Sequence, residues 1–466
     1  MQLVAYGAQD IYLTSNPQIT FFKVVYRRHT NFSREVIEQT HDGSVGSGKT
    51  INVTISRNGD LVHKVYLETP PRVSSGYKIY NNPGHSMIDF VELEIGGQTI
   101  DKIYGHWMEV WSRLSQPNDT GCVGYFDANG NDVYAQISNT TGTTVSYNAQ
   151  AQNAVFTEKA NASGITLQLP STRYQKLAGG GGITTKHADE EIIIGASVNV
   201  TVPQLQVPLP FWFCKNPGLA LPLIALQYHE VKLKIKFSTL GYYLDTDDDV
   251  NVWAEYIYLD TPERRRFAQG THEYLIEQLQ RFDAVSSSPD SSGSYCNATL
   301  ELNFNHPVKE LIFAGDYYQN ASGYGILPGI ANYNTDVTLK LNGHDRFSAN
   351  RRWNYFSKTQ IFEHHTGPGN LYGGLEGLIS KENASTDTNI IDLQKLDQIG
   401  VYSFALKPEE HQPSGTCNFS RIDSTRLSFN KLYAGAGADA INLVVYAVNY
   451  NVLRIMSGMG GLAYSN

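Results

Sequence analysis

The sequence predicts an all-β chain made of two tandem eight-stranded jelly-roll barrels (a double jelly roll) with long loop insertions and a few short helices. Three observations lead there. Only 17% of the 466 residues are charged, while Tyr (29), Phe (19) and Gly (41) are plentiful, a mixture suited to strands joined by many turns. In residues 218–237 a continuous apolar run gives way to strict alternation, with Val231, Leu233, Ile235 and Phe237 separated by Lys232, Lys234 and Lys236. That period of two fits a strand with one face in a core and the other in water. Finally, landmarks recur in the same order: residues 300–308 repeat the pattern of 53–61, and 337–343 repeat 91–97. Residues 402–406, 418–429 and 441–450 then parallel the last three strands of the first half. A chain this long exceeds one ordinary core, and two domains follow.

Taken in order, residues 1–25 read as an N-terminal arm, 26–262 as the first jelly roll, 263–281 as a linker with a short helix, and 282–466 as the second jelly roll. In the arm, short apolar pieces alternate with turn residues such as Ser15-Asn16-Pro17, which favours extended chain over helix. Strands are predicted at 19–26, 34–39, 51–55 and 61–67, the last two joined by the Arg57-Asn58-Gly59-Asp60 hairpin signal, and at 91–100 around Gly96-Gly97. Trp107, Val110, Trp111 and Leu114 fall at i, i+3, i+4 and i+7, which predicts one amphipathic helix ending by Pro117. Residues 118–200, rich in Asn, Ser, Thr, Gly and Ala, read as elaborated loops with short strands near 166–169 and 191–202. An acidic turn at 245–249 precedes a strand at 250–259. Leu275, Ile276 and Leu279 then suggest a linker helix over 272–280.

The net charge of -9 argues against a surface built to neutralise phosphates, so no direct genome binding is expected; Arg27-Arg28 and Arg264-Arg265-Arg266 are too short to reverse it. Cys122, Cys214, Cys296 and Cys417 are widely spaced and read as free thiols. Neither a basic and apolar leader nor an apolar run of about 18 residues occurs, which suggests a soluble protein. Gly43-Ser44-Val45-Gly46-Ser47-Gly48-Lys49-Thr50 matches the phosphate-loop pattern, but that loop works through a helix directly after the Lys. The β-branched alternation that follows predicts a hairpin turn instead. Asp245-Thr246-Asp247-Asp248-Asp249 lacks the later ligands of a calcium loop, and His364-His365 beside Glu363 lacks a third metal ligand. Glu92 and Glu94 share a strand face as glycosidase acids do, yet an exposed face explains them more simply. No enzyme and no cofactor are expected.

Several long motifs resemble the major capsid proteins of large icosahedral double-stranded DNA viruses, the nucleocytoplasmic large DNA viruses, of the algal-virus type. They are Leu3-Val4-Ala5-Tyr6-Gly7-Ala8-Gln9-Asp10, Asn16-Pro17-Gln18-Ile19-Thr20-Phe21-Phe22-Lys23, Arg57-Asn58-Gly59-Asp60-Leu61, residues 217–233, Gln412-Pro413-Ser414-Gly415-Thr416-Cys417-Asn418-Phe419-Ser420-Arg421-Ile422-Asp423, and residues 449–466. The resemblance runs from end to end, with departures in 70–85, 118–200 and 282–400. It implies a double jelly roll whose homotrimer forms a pseudo-hexagonal capsomer of the icosahedral shell. The implied partners are neighbouring capsomers, minor capsid and penton proteins, and an internal viral membrane that is near but not spanned, faced by the N-terminal arm. It further implies a late protein made and assembled in the host cytoplasm and resident in the virion. Glycans are implied on outer loops, and among ten Asn-x-Ser/Thr sequons the candidate positions are Asn139, Asn161, Asn297, Asn320 and Asn383. A carbohydrate-binding, lectin-like jelly roll is the alternative, since lectins share the architecture. On the leading reading, the lysine face of 231–237 lies outside the barrel, available to a neighbouring barrel or capsomer.

Overall fold

The computed structural model describes residues 7–14, 16, 18, 21–75, 78–79, 82–117, 124–126, 167–169, 173–181, 192–193, 199–202, 204–239, 249–289, 295–316, 318–320, 323–325, 330–331, 334–347, 351–367, 369, 398–433 and 441–464. Eight strands build the first barrel: β1 (Phe32–Gln39), β2 (Thr50–Thr54), β3 (Leu61–Thr69), β4 (Ile88–Ile95), β5 (Gln98–Tyr104), β6 (Leu205–Pro208), β7 (Val231–Phe237) and β8 (Asn251–Leu259). Eight more build the second: β9 (His272–Val285), β10 (Tyr295–Glu301), β11 (Pro307–Gly315), β12 (Asp336–Leu341), β13 (His344–Asp345), β14 (Ile399–Ser403), β15 (Thr425–Tyr433) and β16 (Asn442–Met456). The first barrel's sheets run β1-β8-β3-β6 and β2-β7-β4-β5; the second's run β9-β16-β11-β14 and β10-β15-β12-β13. The wiring is the same, each strand of the second half taking the place of the strand eight before it. Even a two-residue addition recurs: Leu221–Pro222 pairs with β3 and Cys417–Asn418 pairs with β11.

Alternation sets the register. In β7, Leu233 lies opposite Val53 and Leu93, and Ile235 opposite Ile51 and Val91, all fully buried. A slip of one residue would bring the lysines into this core, which fixes the pairing. The second barrel has its own core around Phe313, Trp353, Phe356 and Phe429, packed edge to face.

Register also fixes which loops share an end. Phe32 lies beside Leu259 and Leu61 beside Ile257, while the Ile55 amide bonds the Val231 carbonyl, so short turns gather at one end of the first barrel. The corresponding end of the second, where His272 faces Ile455, is joined to it by the Tyr228 amide on the Gly458 carbonyl at 3.0 Å. Tyr104, Phe237, Val285, Gly315 and Tyr433 stand at the opposite end, and the long insertions leave from there.

Several expectations need correction. Phe21–Tyr26 form no strand, and the arm instead reaches β1 at Phe32 after a single helical turn, Ile11–Thr14; Ile19 and Thr20 lie outside the described residues. The linker helix is not at 272–280. It is α2 (Thr261–Gln269), the helix α1 being Gly105–Ser115 as the apolar spacing predicts. Asp260 caps α2 by accepting from the Thr261 amide, Pro262 sits in its first turn, and Gly270 follows its end. Residues 272–280 belong to β9, where pairing with β16 along fourteen residues outweighs the apolar spacing. Between β8 and β9 the chain carries α2 and the two residues after it. Residues 211–214, after Pro210, enter a short helix, Trp212–Lys215.

Candidate assembly surfaces and the seam between the barrels

Helix α1 is wedged between the barrels, with residues 105–114 all buried. Its last carbonyls have no partner within the helix, and such groups cost free energy when buried unpaired. The second barrel supplies the partners. The Gly367 amide donates to Leu114 O at 2.6 Å, the Gly369 amide to Arg113 O at 2.8 Å, and the Thr366 hydroxyl to Ser115 O at 3.0 Å. At the other end of α1, His106 bonds the Tyr446 hydroxyl and the Gly315 carbonyl, both at 2.8 Å, and burial lowers its pKa. Trp107 packs on Tyr446 with ring centres 5.0 Å apart.

Within α1, Glu109 accepts from His85 at 2.6 Å, Arg113 at 2.8 Å and the Gly181 amide at 2.9 Å. Burial alone would raise its pKa, but these partners, Arg113 foremost, hold it at about 2. Arg113 reaches on to Gln398. A second charged chain crosses the seam: Lys215 of the first barrel lies 3.0 Å from one oxygen of Glu277 on β9, and Lys309 on β11 lies 2.6 Å from the other. A third group was hidden in the sequence. His365, expected as part of a plain loop pair, closes helix α3 (Gln360–His364) and is buried between Glu310 at 3.1 Å and Glu409 at 3.0 Å. Burial favours the neutral ring, yet the two carboxylates, Glu310 foremost, raise His365 to about 9 and keep it charged. Glu310 and Glu409 come from distant stretches, so no local spacing signals the cluster.

On the outer face of β7, the lysines face water as expected but are paired: Lys232 with Glu230 at 3.1 Å, Lys234 with Glu92 at 3.3 Å and Lys236 with Asp89 at 2.8 Å. Glu92 also meets Lys102 at 2.9 Å; burial pushes its pKa up, but the two ammonium groups leave it lowered. Glu92 and Glu94 are half-buried, and Glu92 is a member of a charge ladder.

The phosphate-loop match closes on strand β2, with the Phe237 amide on the Lys49 carbonyl at 2.9 Å, so no helix follows Lys49. Residues 245–248 lie outside the described residues, as do Cys122, Asn139, Asn161 and Asn383. Cys214, Cys296 and Cys417 are free. Asn297 is exposed in β10, at a bulge where its Oδ1 accepts from the Lys431 amide at 3.0 Å; Asn320 ends the strand Tyr318–Asn320. No group of three or more His, Cys, Asp or Glu side chains suited to a metal occurs among the described residues. A cleft of about 330 Å³ is lined in part by Lys64, Tyr66, Trp111, Tyr174, Pro208 and Lys215. Its Lys215 is committed to Glu277 and to the Trp111 ring, 4.4 Å away.

Two barrels with the same strand order, locked by buried contacts, define a double jelly roll. A family model for the large eukaryotic DNA virus major capsid protein matches residues 263–370 and 395–461, and one for the major capsid protein N-terminus matches 20–162 and 183–260. The major capsid protein of Pyramimonas orientalis virus is 45% identical over 474 residues, spanning 100% of this chain and 99% of the relative. That of Paramecium bursaria Chlorella virus 1 is 36% identical, again over 100% of this chain and 99% of the relative. A chain of the PBCV-1 virus capsid superposes with a TM-score of 0.66 at 32% identity, covering 96% of this chain and 100% of that one. The Faustovirus major capsid protein, at 13% identity and a TM-score of 0.56, shares the fold. The chain belongs to the major capsid protein family of large eukaryotic DNA viruses and is a structural component of the virion capsid. The lectin-like alternative gains no support from these relatives.

Proposed function

We propose that three copies of this chain form a trimeric, pseudo-hexagonal capsomer that tiles the icosahedral shell. The observation that carries this is the repeated sheet order, β1-β8-β3-β6 against β9-β16-β11-β14. Three chains with two equivalent barrels each present six similar walls, so an object with three-fold symmetry can fill a six-fold lattice position. The seam supports the same reading, because walls serve a lattice only if the barrels within a chain keep one orientation.

In this reading the end that carries the long insertions faces outward and the arm end faces inward, toward minor capsid and penton proteins. The working units are an arm through residue 31, a first barrel to residue 259 and a second from residue 272. Glycans belong to the outward end, where Asn297 and Asn320 lie; Asn139, Asn161 and Asn383 remain candidates by sequence. Synthesis late in infection and assembly in the host cytoplasm complete the proposal. The test is the mass of the purified protein in solution. Three times the 51.8 kDa chain mass is expected, and a stable monomer across concentrations would overturn the capsomer.

A further inference from the structure

The cleft of about 330 Å³ lies outside the core of the first barrel and has the size of a small ligand site. Alternation along β3 turns Lys64 and Tyr66 away from the core that buries Val65 and Leu67, so both can face the cleft. Helix α1, the short helix Arg173–Ala178 and the stretch through Pro208 and Pro210 close its other sides. Met108, Trp111, Leu177 and Leu209 make much of the lining apolar, and no Asp or Glu lines it.

Its walls are fixed by contacts made elsewhere. The Tyr174 hydroxyl bonds His85 Nε2 at 2.9 Å, and the other ring nitrogen of His85 meets Glu109 at 2.6 Å. Trp111 stacks on Trp107 with ring centres 5.5 Å apart. Walls already in place spare a ligand the cost of ordering them. Two cations border the same space. Lys64 pairs with no carboxylate among the described residues, and Lys215, though held by Glu277, keeps two further ammonium donors. Both act on the thiol of Cys214 between them, yet burial outweighs them and pushes it up to about 12, so this sulfur is no nucleophile.

We propose that this cleft is a binding site for a small amphipathic carboxylate, its acyl chain against Met108, Leu177 and Leu209 and its carboxylate between Lys64 and Lys215. A sugar would need a set of hydrogen-bonding side chains turned toward its hydroxyls, and this lining offers mostly carbon. An uncharged apolar molecule would leave the Lys64 ammonium without a partner. A monoanion with an apolar body uses both parts of the site, and a charge-assisted hydrogen bond is stronger than a neutral one.

The test is titration of the full chain with decanoate and with decanol, followed by tryptophan fluorescence and calorimetry, with solution mass measured on every sample. One decanoate per chain is expected, with decanol bound about tenfold more weakly or worse, the difference a hydrogen bond to a charged group makes. Lys64→Gln should weaken decanoate by about the same factor and leave decanol unchanged. Leu177→Asp should weaken both ligands; Leu177 is 38% exposed, so the unfolding midpoint of this variant should stay near that of wild type. No binding of decanoate, equal affinity for decanol, several decanoates per chain, or variants as tight as wild type would each overturn the proposal. A Leu177→Asp protein that loses its oligomeric mass would assign the cleft to a side chain of a second copy and overturn it as well.

Discussion

Lys215 Nζ, in the first barrel, stands 3.0 Å from Glu277 Oε2 on the first strand of the second, and Lys309 Nζ closes on the other oxygen at 2.6 Å. Lys309 is buried, so removing the carboxylate leaves an uncompensated charge in the seam. Breaking a buried pair costs about 3 kcal/mol, and that is the loss we expect for Glu277→Gln in chemical denaturation. Lys215→Met, at the wetter end, should cost about 1 kcal/mol. Burial raises the pKa of Glu277 but the lysines hold it at about 2, below its ordinary 4.5. Its contribution is therefore present above about pH 4.5 and lost as pH falls toward 2.

His365 has the opposite dependence. Its pKa rises from 6.5 to about 9 between Glu310 and Glu409, so its ion pairs stabilise the fold fully below pH 6.5 and lose that effect as pH climbs through 9. Thermal unfolding from pH 6 to 10 should show a decline that His365→Gln lacks. Parallel curves for the two proteins would show that the pairs contribute nothing.

Gly367 lies against the end of α1 so closely that a Cβ would sit 2.4 Å from Arg113 O and 2.6 Å from Leu114 O. Gly367→Ala must push the segment carrying Thr366 and Gly367 away from the helix carbonyls it caps, at about 2 kcal/mol by the usual cost of overpacking. Limited proteolysis should then cut between the barrels faster than in wild type. An unchanged cleavage rate would mean that these caps on α1 do not hold the seam.

The β7 lysine face is available to a neighbouring barrel or capsomer, and the pairing of its lysines decides how that is tested. Reversing Lys234 sets a second carboxylate beside Glu92 and removes one of its two cations, so Lys234→Glu should lower monomer stability by about 1 kcal/mol. Adding Glu92→Lys should restore much of it. Exposed pairs contribute little, so the triple change of Lys232, Lys234 and Lys236 to Gln should leave unfolding nearly unaltered. A loss of particle assembly by that neutral variant would identify this face as a capsomer contact.

The duplicated wiring was legible because alternation in 231–237 and its later echo state a face and a period, and sheets obey both. The helix at 105–115 was legible for the same reason, with Trp107, Val110, Trp111 and Leu114 on one side. Residues 272–280 misled because Leu275, Ile276 and Leu279 satisfy a helical spacing and a paired strand alike. The cap Asp260, Pro262 and Gly270 marked the true helix, but the Arg run between them carries no apolar spacing to announce it. The His365 cluster and the caps on α1 were not legible at all, since each partner comes from another barrel or a distant loop and only the fold brings them together.

Six similar walls made from three chains would be visible directly by electron microscopy of the purified, concentrated protein. Class averages should show three-fold blocks with a hexagonal outline, packing edge to edge into sheets or shells. Particles the size of a single chain, or oligomers without three-fold symmetry, would contradict it.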